Sequence, residues 1–353
     1  MSTTIENKIE SSDHDDLAEK VQTARYKSKN WFIRMLGSSF SGENMFIAMH
    51  FIPLAGFFTE VTATAWVLCA VLYFVRMFFI TAGYHRYFAH RAFRLNRFWQ
   101  FMFAFGAQTS GQKGVLWWSG HHREHHKYSD KLEDPHSLKQ YGFYESHIGW
   151  IFNPKHKRVP VEKIKDFAKY PEIRFLSKHD WIAPWSLGVL SFLIAGWGGL
   201  WIGFFLSTII TYHSTFTINS LTHKWGKKRY QTGDESRNSW VLALTTLGEG
   251  WHNNHHFYQH SARQGWFWYE IDITYMILKA MSWVGIVKDL RDVPAKFKFA
   301  HRPEKLRELG IETAPERTNT NQLGSKNLKS KSTGSKSEKR RKNTLRNHEE
   351  MIA

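Results

Sequence analysis

Apolar and polar segments alternate along the chain in a pattern typical of a membrane protein. Apolar runs occupy residues 44–60 and 61–82, which meet at Glu60, and residues 181–196 and 199–218, which meet at a Gly-rich GWGG sequence. A hydrocarbon core of ~30 Å needs about 20 apolar residues per helix. With such tight connections, the four runs predict four transmembrane helices in two hairpins. For the first pair, two buried helices of a soluble core are the alternative.

The segments between and after the hairpins contain no further clean span. Residues 98–118 are apolar and aromatic but interrupted by Gly106, Gly111 and Gly114, which predicts an interfacial or re-entrant helix. Residues 265–287 form an amphipathic aromatic stretch. The predicted fold is therefore an all-α integral membrane protein with a helical cap on one side of the membrane.

Charge assigns the side of the membrane. The 353 residues include 48 Lys and Arg against 31 Asp and Glu, a net charge of +17. Basic residues are concentrated beside the apolar runs and in the C-terminal region, which places the cap and both termini on the cytoplasmic side. No basic module typical of nucleic-acid binding is recognisable, so no nucleic-acid partner is expected.

Three regions follow from these patterns. Residues 1–40 form a polar segment and an interfacial anchor, residues 41–300 form the membrane domain, and residues 303–353 form a disordered basic tail. The single cysteine, Cys69, excludes a disulfide framework and an iron–sulfur cluster held within the chain. Electrons for any redox reaction must therefore come from another protein.

Histidines recur where apolar runs end. The first box, GYHRYFAH, follows the second run, and HREHHKYSD and GEGWHNNHH supply two HxxHH patterns; a further histidine follows the fourth run in NSLTH. Imidazole is the commonest protein metal ligand and binds in its neutral form. The nine candidate ligands are His85, His90, His122, His125, His126, His223, His252, His255 and His256.

The spacing of these histidines predicts two metal ions rather than one. HxxHH presents imidazoles from adjacent turns of a helix, so each such box can serve two ions that lie side by side. Nine ligands exceed the four to six positions of a single ion, and structural zinc closes at four. By ligand type, iron, zinc, copper and nickel are all suitable. His121, although adjacent to the second box, points elsewhere on the helix and is left out of the set.

The motifs resemble those of the membrane-bound fatty acid desaturases. GYHRYFAHRAF, HREHHKYSD followed by DPH, NSLTH and GEGWHNNHH match the Δ9, stearoyl-CoA desaturase-like branch, in a bacterial type without a fused cytochrome b5 domain. The resemblance implies four transmembrane helices under a cytosolic cap, with the nine histidines holding two iron ions. It also implies that Asn219 reaches one iron through a water, and that Gln112, Thr215 and Phe216 shape a bent acyl tunnel. Phe216 departs from the mammalian enzymes, which carry Trp there.

The resemblance further implies an activity. The chain is expected to use O2 to introduce a cis double bond, at Δ9, into a saturated acyl chain carried as acyl-CoA or acyl-lipid. A ferredoxin, rubredoxin or cytochrome b5 type donor with its reductase would supply electrons. An alkane-type hydroxylase on the same scaffold is the alternative, and a non-enzymatic membrane protein that handles metal is a remote one.

Several other polar residues have two interpretations. Glu249 and Asp134 are candidates to orient ligand imidazoles through the second ring nitrogen. His50 lies in an apolar run and is expected to be a hydrogen-bonded bundle residue, although an ionisable residue there is a functional candidate. Arg76 is expected to extend its guanidinium to the membrane interface. Outside the site are His136, His147, His156, His179, His213 and His260.

Overall fold

The computed structural model describes residues 42–311, and all their regular structure is helical apart from isolated β-bridges. The α-helices are α1 Gly42–Phe51, α2 Ala63–Phe79, α3 Arg97–Gln108, α4 Val115–Tyr128, α5 Leu138–Tyr144, α6 Trp150–Phe152, α7 Lys165–Ala168, α8 Pro171–Lys178, α9 Ile182–Gly198, α10 Ser207–Ser220, α11 Trp240–Thr245, α12 His252–Phe257, α13 Ile273–Trp283, α14 Ala295–Lys298 and α15 Pro303–Glu308. The π-helices are Ile80–Ala89, Glu145–Gly149 and Gly199–Leu206, and the 3₁₀-helices are Ile52–Phe58, Pro154–His156, Val161–Lys163 and Leu221–His223. The predicted all-α class is confirmed for this part of the chain.

Two continuous helical segments have the length and composition of membrane spans. They are Ala63–Ala89, of 27 residues, and Ile182–His223, of 42 residues. The first apolar run contains an apolar helix over Phe46–Phe58, which changes from α to 3₁₀ geometry at Ile52. With six residues in α and seven in 3₁₀ geometry, its length is roughly 23 Å.

The longer segment reverses direction at its centre. Ala195 and Gly196 have non-helical backbone angles, and Gly196 has φ 57°. A straight helix would separate residues 188 and 204 by roughly 24 Å. Instead, a Cβ on Gly188 would lie 3.3 Å from the Phe204 ring, and the ring centroids of Trp185 and Phe205 are 6.4 Å apart. The segment is therefore a helical hairpin, with its turn at the Gly-rich sequence.

The predicted interfacial helix over residues 98–118 is instead two helices joined by a tight turn. Asn96 caps α3 by accepting a hydrogen bond from the Trp99 amide at 2.9 Å. After α3, Gly111 adopts φ 70°, and a Cβ there would lie 2.7 Å from the Tyr212 hydroxyl. Only glycine fits this turn, which leads from α3 into α4 and its histidine box.

Arg76 does not reach the interface as expected. Its side chain is fully buried between α2 and α10, where it donates hydrogen bonds to the hydroxyls of Thr208 (2.6 Å) and Ser207. The reason is that the serine and threonine hydroxyls of α10 offer acceptors inside the bundle. Arg76 thus joins the two long apolar segments, Ala63–Ala89 and Ile182–His223.

Ordered structure continues beyond the predicted start of the C-terminal tail. Helix α15 covers Pro303–Glu308, and Leu306 on it is buried, so the boundary at residue 303 is too early. The predicted N-terminal segment and anchor of residues 1–40, and the tail from residue 312 onwards, lie outside the described residues.

Candidate metal centre

The nine predicted ligands lie on four separate elements that converge at one end of the bundle. The π-helix Ile80–Ala89 carries His85 and ends at His90, whereas α4 carries the second box. The 3₁₀-helix Leu221–His223 presents His223 where α10 ends, and α12 carries the third box. The ends of the segments Ala63–Ala89 and Ile182–His223, together with α4 and α12, therefore bring these side chains together.

The histidines form two groups, in each of which one nitrogen atom per ring lies within 4.8 Å of all the others. The larger group contains five and the smaller group four. The five-histidine group is His85, His90, His122, His126 and His255. The four-histidine group is His125, His223, His252 and His256.

The geometry of a helix explains how one box contributes to both groups. On α4, His122 and His126 are four residues apart and lie on one face, with their Nε2 atoms 3.0 Å apart. Adjacent residues on a helix point about 100° apart. His125 therefore turns away from His126 to the four-histidine group, and His255 and His256 on α12 diverge in the same way.

Nitrogen lone pairs converge in the five-histidine group. Nε2 of His255 lies 3.0 Å from Nε2 of His85 and 2.9 Å from Nε2 of His126. A neutral imidazole has one N–H, and the Nδ1 of His85 donates its proton to Glu249 Oε2 at 2.5 Å. The Nε2 of His85 is therefore an unprotonated nitrogen that faces other ring nitrogens, an arrangement that a bound cation satisfies.

Three carboxylates orient the four-histidine group. Asp134 accepts a hydrogen bond from His125 Nδ1 at 2.9 Å, and Asp130 accepts one from His223 Nδ1 at 3.1 Å. Asp234 accepts from His256 Nδ1 at 2.7 Å. Each contact fixes the proton on Nδ1 and leaves Nε2 as the ligand atom.

The Nε2 of His256 is buried and has no hydrogen-bond partner among the described residues. Such an orphaned lone pair, next to three other imidazoles, fits a metal ligand. The donor set therefore suits a cation in both groups.

Sequence analysis identified Asp134 and Glu249 as candidate orienting residues but missed Asp130 and Asp234. Asp130 is the last residue of the HREHHKYSD motif, and this position could have identified it as a candidate. Asp234 lies in the loop before α11, outside every histidine box, so no motif in the sequence pointed to it.

A buried ionic network supports Glu249. Arg86 donates to Glu249 Oε1 from Nε at 3.1 Å, and to the Asp272 carboxylate from Nη1 at 2.9 Å. Gln264 Nε2 donates to Glu249 Oε2 at 2.9 Å. Arg86 therefore lies between two carboxylates, of which Glu249 contacts a ring of the five-histidine group, whereas three aspartates contact rings of the other group.

Burial keeps most ligand candidates neutral. It lowers the pKa of His90, His122 and His126 well below the usual range, and the neighbouring imidazoles lower it further. The pKa values of His252 and His255 fall for the same two reasons.

The orienting carboxylates change this balance locally. Burial lowers the pKa of His256 to about 4 against the opposing effect of Asp234. For His125, Asp134 outweighs burial and raises the pKa. Burial by itself would raise the pKa of Glu249, but His85 and Arg86 lower it to about 2. Neutral imidazoles and ionised carboxylates are the forms that metal binding requires.

Two neighbouring histidines lie outside both groups. His121 Nδ1 donates to the Trp117 carbonyl oxygen at 2.9 Å, and this ring belongs to neither group. His136, set aside on sequence grounds, is buried and stacks on His125 with ring centroids 4.3 Å apart. The DPH sequence could have indicated that His136 lies near the centre, because Asp134 accepts a hydrogen bond from the His136 amide at 3.1 Å.

A cavity of about 1080 Å³ begins at the histidine groups and is lined by Asn219, His122 and His136. The predicted tunnel residues Gln112, Thr215 and Phe216 also line it. Gln112 Nε2 donates to Thr215 Oγ1 at 3.0 Å, and the Trp118 indole donates to Gln112 Oε1 at 3.3 Å. Because the Trp118 ring also stacks on His122 at 5.2 Å, these hydrogen bonds connect the cavity wall to the five-histidine group.

Comparison with known proteins finds one family model and several relatives that match most of the described part of the chain. A family model described as fatty acid desaturase matches residues 62–282. The sn-1 stearoyl-lipid 9-desaturase of Synechocystis sp. is 36% identical over 252 residues, which cover 70% of this chain and 79% of that protein. The sn-2 palmitoyl-lipid 9-desaturase of Nostoc sp. is 33% identical over 239 residues, covering 65% and 84%. The acyl-CoA C20 Delta5-desaturase of Anemone leveillei is 36% identical over 234 residues, covering 65% and 74%. Because the family model matches more than half of the chain and includes every histidine box, this protein belongs to the fatty acid desaturase family.

Proposed function

We propose that this protein is an oxygen-dependent di-iron desaturase that introduces a cis double bond at Δ9 into a saturated acyl chain. The observation that carries the proposal is the division of nine histidines into groups of five and four at one end of a 1080 Å³ cavity. Two of the relatives described above are named 9-desaturases. The relatives include both acyl-lipid and acyl-CoA desaturases, so either carrier is compatible with the family.

Iron is the metal that we propose for both groups, with Asn219 approaching one ion through a water. Iron bound there would supply the one-electron chemistry with O2 that breaking an unactivated C–H bond requires. The donor set is nitrogen alone, without thiolate, and imidazole suits iron. Overall, two adjacent methylenes, O2, two electrons and two protons yield a double bond and two waters.

The protein's own contribution is to hold protons and to align the chain. Asp130, Asp134, Asp234 and Glu249 keep the Nδ1 protons of four ligand rings in place, which leaves their Nε2 atoms unprotonated. The cavity walls exclude water from the reacting carbons. The hydrogen bond between Gln112 and Thr215, which both line the cavity, would help to fix which carbons lie next to the centre.

The membrane arrangement and the electron donor complete the proposal. We place α1 with Ile52–Phe58, then Ala63–Ala89, then the two arms of Ile182–His223 as four spans, with the histidine groups and both termini on the cytoplasmic side. The basic residues between the second and third spans support this orientation. Electrons come from a separate ferredoxin, rubredoxin or cytochrome b5 type donor and its reductase.

Expression in a host that lacks unsaturated fatty acids tests the activity. Mass spectrometry of the lipid and CoA pools should find new monounsaturated acyl chains with the double bond at carbon 9. The matched control is the His252→Ala variant, which should yield none. Incorporation of 18O from labelled O2 into an alcohol, with no double bond made, would identify a hydroxylase and contradict the proposal.

A further inference from the structure

Three histidines outside the metal groups form a continuous hydrogen-bonded chain. His50 Nε2 lies 3.0 Å from His213 Nε2, and His213 Nδ1 lies 3.1 Å from His147 Nε2. The ends are also satisfied, because His50 Nδ1 contacts the Phe46 carbonyl at 2.8 Å and His147 Nδ1 contacts the Ser220 hydroxyl at 2.9 Å. All six ring nitrogens therefore have a partner. We call this set the histidine chain.

The histidine chain is not a further metal site. The two nitrogens of His213 face different rings, so the three side chains do not direct their nitrogens at one point. Instead, the chain joins three elements: α1 through His50, α10 through His213, and the π-helix Glu145–Gly149 through His147. Its role must follow from what these elements enclose.

The same part of the molecule forms one wall of the main cavity. Phe46 and Met49 of α1 line the cavity together with Phe216 of α10 and Phe152 of α6. The Phe216 ring lies 6.3 Å from Phe46 and 5.7 Å from His147, measured between centroids. The histidine chain therefore lies directly behind the cavity wall, where α1 contacts α10. We call this contact the α1–α10 seam.

Helix α1 is packed weakly on its other side. A second cavity of about 500 Å³, open to the surface, lies beside it and is lined by Ala48, Phe51, Ile52, Ala55, Trp201 and Phe205. None of the described side chains between residues 44 and 58 is fully buried, and Phe57 is 84% exposed. In α2, by contrast, Ala65 and Met77 are fully buried. Helix α1 therefore has room to move, and the histidine chain is a polar attachment between α1 and α10.

We propose that the α1–α10 seam is the passage through which an acyl chain still attached to a membrane lipid reaches the cavity, and that the histidine chain holds this passage closed. The proposal rests on the proposed function and names the substrate class within it. An acyl chain of a bilayer lipid already lies at the depth of α1, while its head group stays at the surface. It can enter sideways when α1 moves towards the second cavity, without leaving the membrane.

The strength of the hydrogen bonds in the histidine chain suits reversible opening. A hydrogen bond between neutral groups contributes a net stabilisation that corresponds to a roughly three- to tenfold change in an equilibrium constant. Separating α1 from α10 breaks the His50–His213 hydrogen bond and the ring contacts of Phe46 with Tyr212 and Phe216. His213 is the residue whose loss affects the chain most, since it leaves both neighbouring imidazoles with an unpaired nitrogen.

The first experiment measures opening without reference to catalysis. Met49→Cys in a Cys69→Ala background, reconstituted in phosphatidylcholine vesicles, places a single thiol on the cavity wall of α1. Its rate of reaction with a membrane-soluble N-alkyl maleimide should rise about three- to tenfold when His213→Phe is added. The matched control is His260→Phe, an exposed histidine outside the chain, which should leave the rate unchanged. Equal rates in the His213→Phe variant and its parent, with both folded by thermal melting, would overturn the proposal.

The second experiment fixes α1 in place. In the Cys69→Ala background, Ala48→Cys and Phe205→Cys line the second cavity, where a short bis-maleimide can join them without entering the main cavity. The cross-linked enzyme should lose desaturation of vesicle lipids by at least tenfold but still desaturate added stearoyl-CoA. Vesicle-lipid desaturation at the parental rate after cross-linking would contradict the passage. Loss of both activities without cross-linker would instead count against the proposed function, and the thiol-reactivity result would still decide the seam.

Discussion

The contact between Asp234 and His256 provides a sharp test of the proposed metal centre. Asp234 Oδ2 accepts the Nδ1 proton of His256 at 2.7 Å. Its Oδ1 accepts from the Thr232 hydroxyl at 2.7 Å, the Ser236 amide at 3.0 Å and the Ser236 hydroxyl at 2.5 Å. These interactions, together with that of His256, hold the pKa of Asp234 far below its usual range despite burial.

Asp234→Asn changes the tautomer of His256 rather than its position. With three donors fixing the amide oxygen at the Oδ1 position, the Asn NH2 group must face His256 Nδ1 and donate to it. The ring proton then moves to Nε2, the buried nitrogen that has no partner among the described residues, and this nitrogen can no longer bind a cation. Loss of an orienting partner of this kind typically lowers metal affinity 10- to 100-fold, or about 1.4–2.7 kcal/mol.

Chelator competition measures this effect. The iron dissociation constant of one of the two ions should rise by that factor in Asp234→Asn, with the second ion little changed. The matched control is Asp289→Asn, which removes an exposed carboxylate paired with Arg94 and should leave both constants unchanged. Wild-type iron affinity at both positions in Asp234→Asn would refute the tautomer argument.

Three further predictions follow from the same geometry. Gln112→Leu removes the hydrogen bonds to Thr215 and Trp118, so the acyl chain should bind in several registers. Mass spectrometry should then detect a mixture of double-bond positions. A single, wild-type position would contradict this role of Gln112. Acid should release iron. The folded-state pKa of His256 is lowered from 6.5 to about 4, so its stabilising contribution is complete above pH ~6.5 and is lost as pH falls towards 4. The folded-state pKa of Glu249 is lowered from 4.5 to about 2, so its contribution is lost between pH ~4.5 and 2. Iron content and melting temperature should therefore both fall between pH 7 and pH 4, and a higher melting temperature at pH 5 than at pH 8 would contradict this sign. Removing iron with a chelator should destabilise the fold. The loss should be about 2.7 kcal/mol relative to a solution with free iron at 100 times its dissociation constant. An unchanged melting temperature would show that the ligands do not bind iron in the folded state.

The sequence was most informative where local geometry determines function. The HxxHH spacing on α4 predicts that His125 and His126 diverge, because a helix turns by about 100° per residue. Which of them shares a metal with His122 does not follow from the spacing, since positions three and four residues apart lie on the same face. The Gly-rich sequence at the centre of the second hairpin likewise predicts the reversal at Gly196, since few other residues adopt its backbone angles.

Contacts between distant parts of the chain could not be predicted from one sequence. Asp234 reaches His256 from a separate loop, and His50 meets His213 across 163 positions. Arg76 was misassigned for the same reason, because the hydroxyls of Ser207 and Thr208 that receive it lie on another hairpin. A pattern within one segment identifies a face of that segment but does not identify what packs against it.

Anomalous X-ray scattering at the iron absorption edge, from crystals of the enzyme purified with its metal, tests the central claim most directly. Our account predicts two anomalous peaks, one enclosed by His85, His90, His122, His126 and His255 and the other by His125, His223, His252 and His256. A single peak, or peaks outside these two groups, would contradict the di-iron centre on which the proposed desaturation depends.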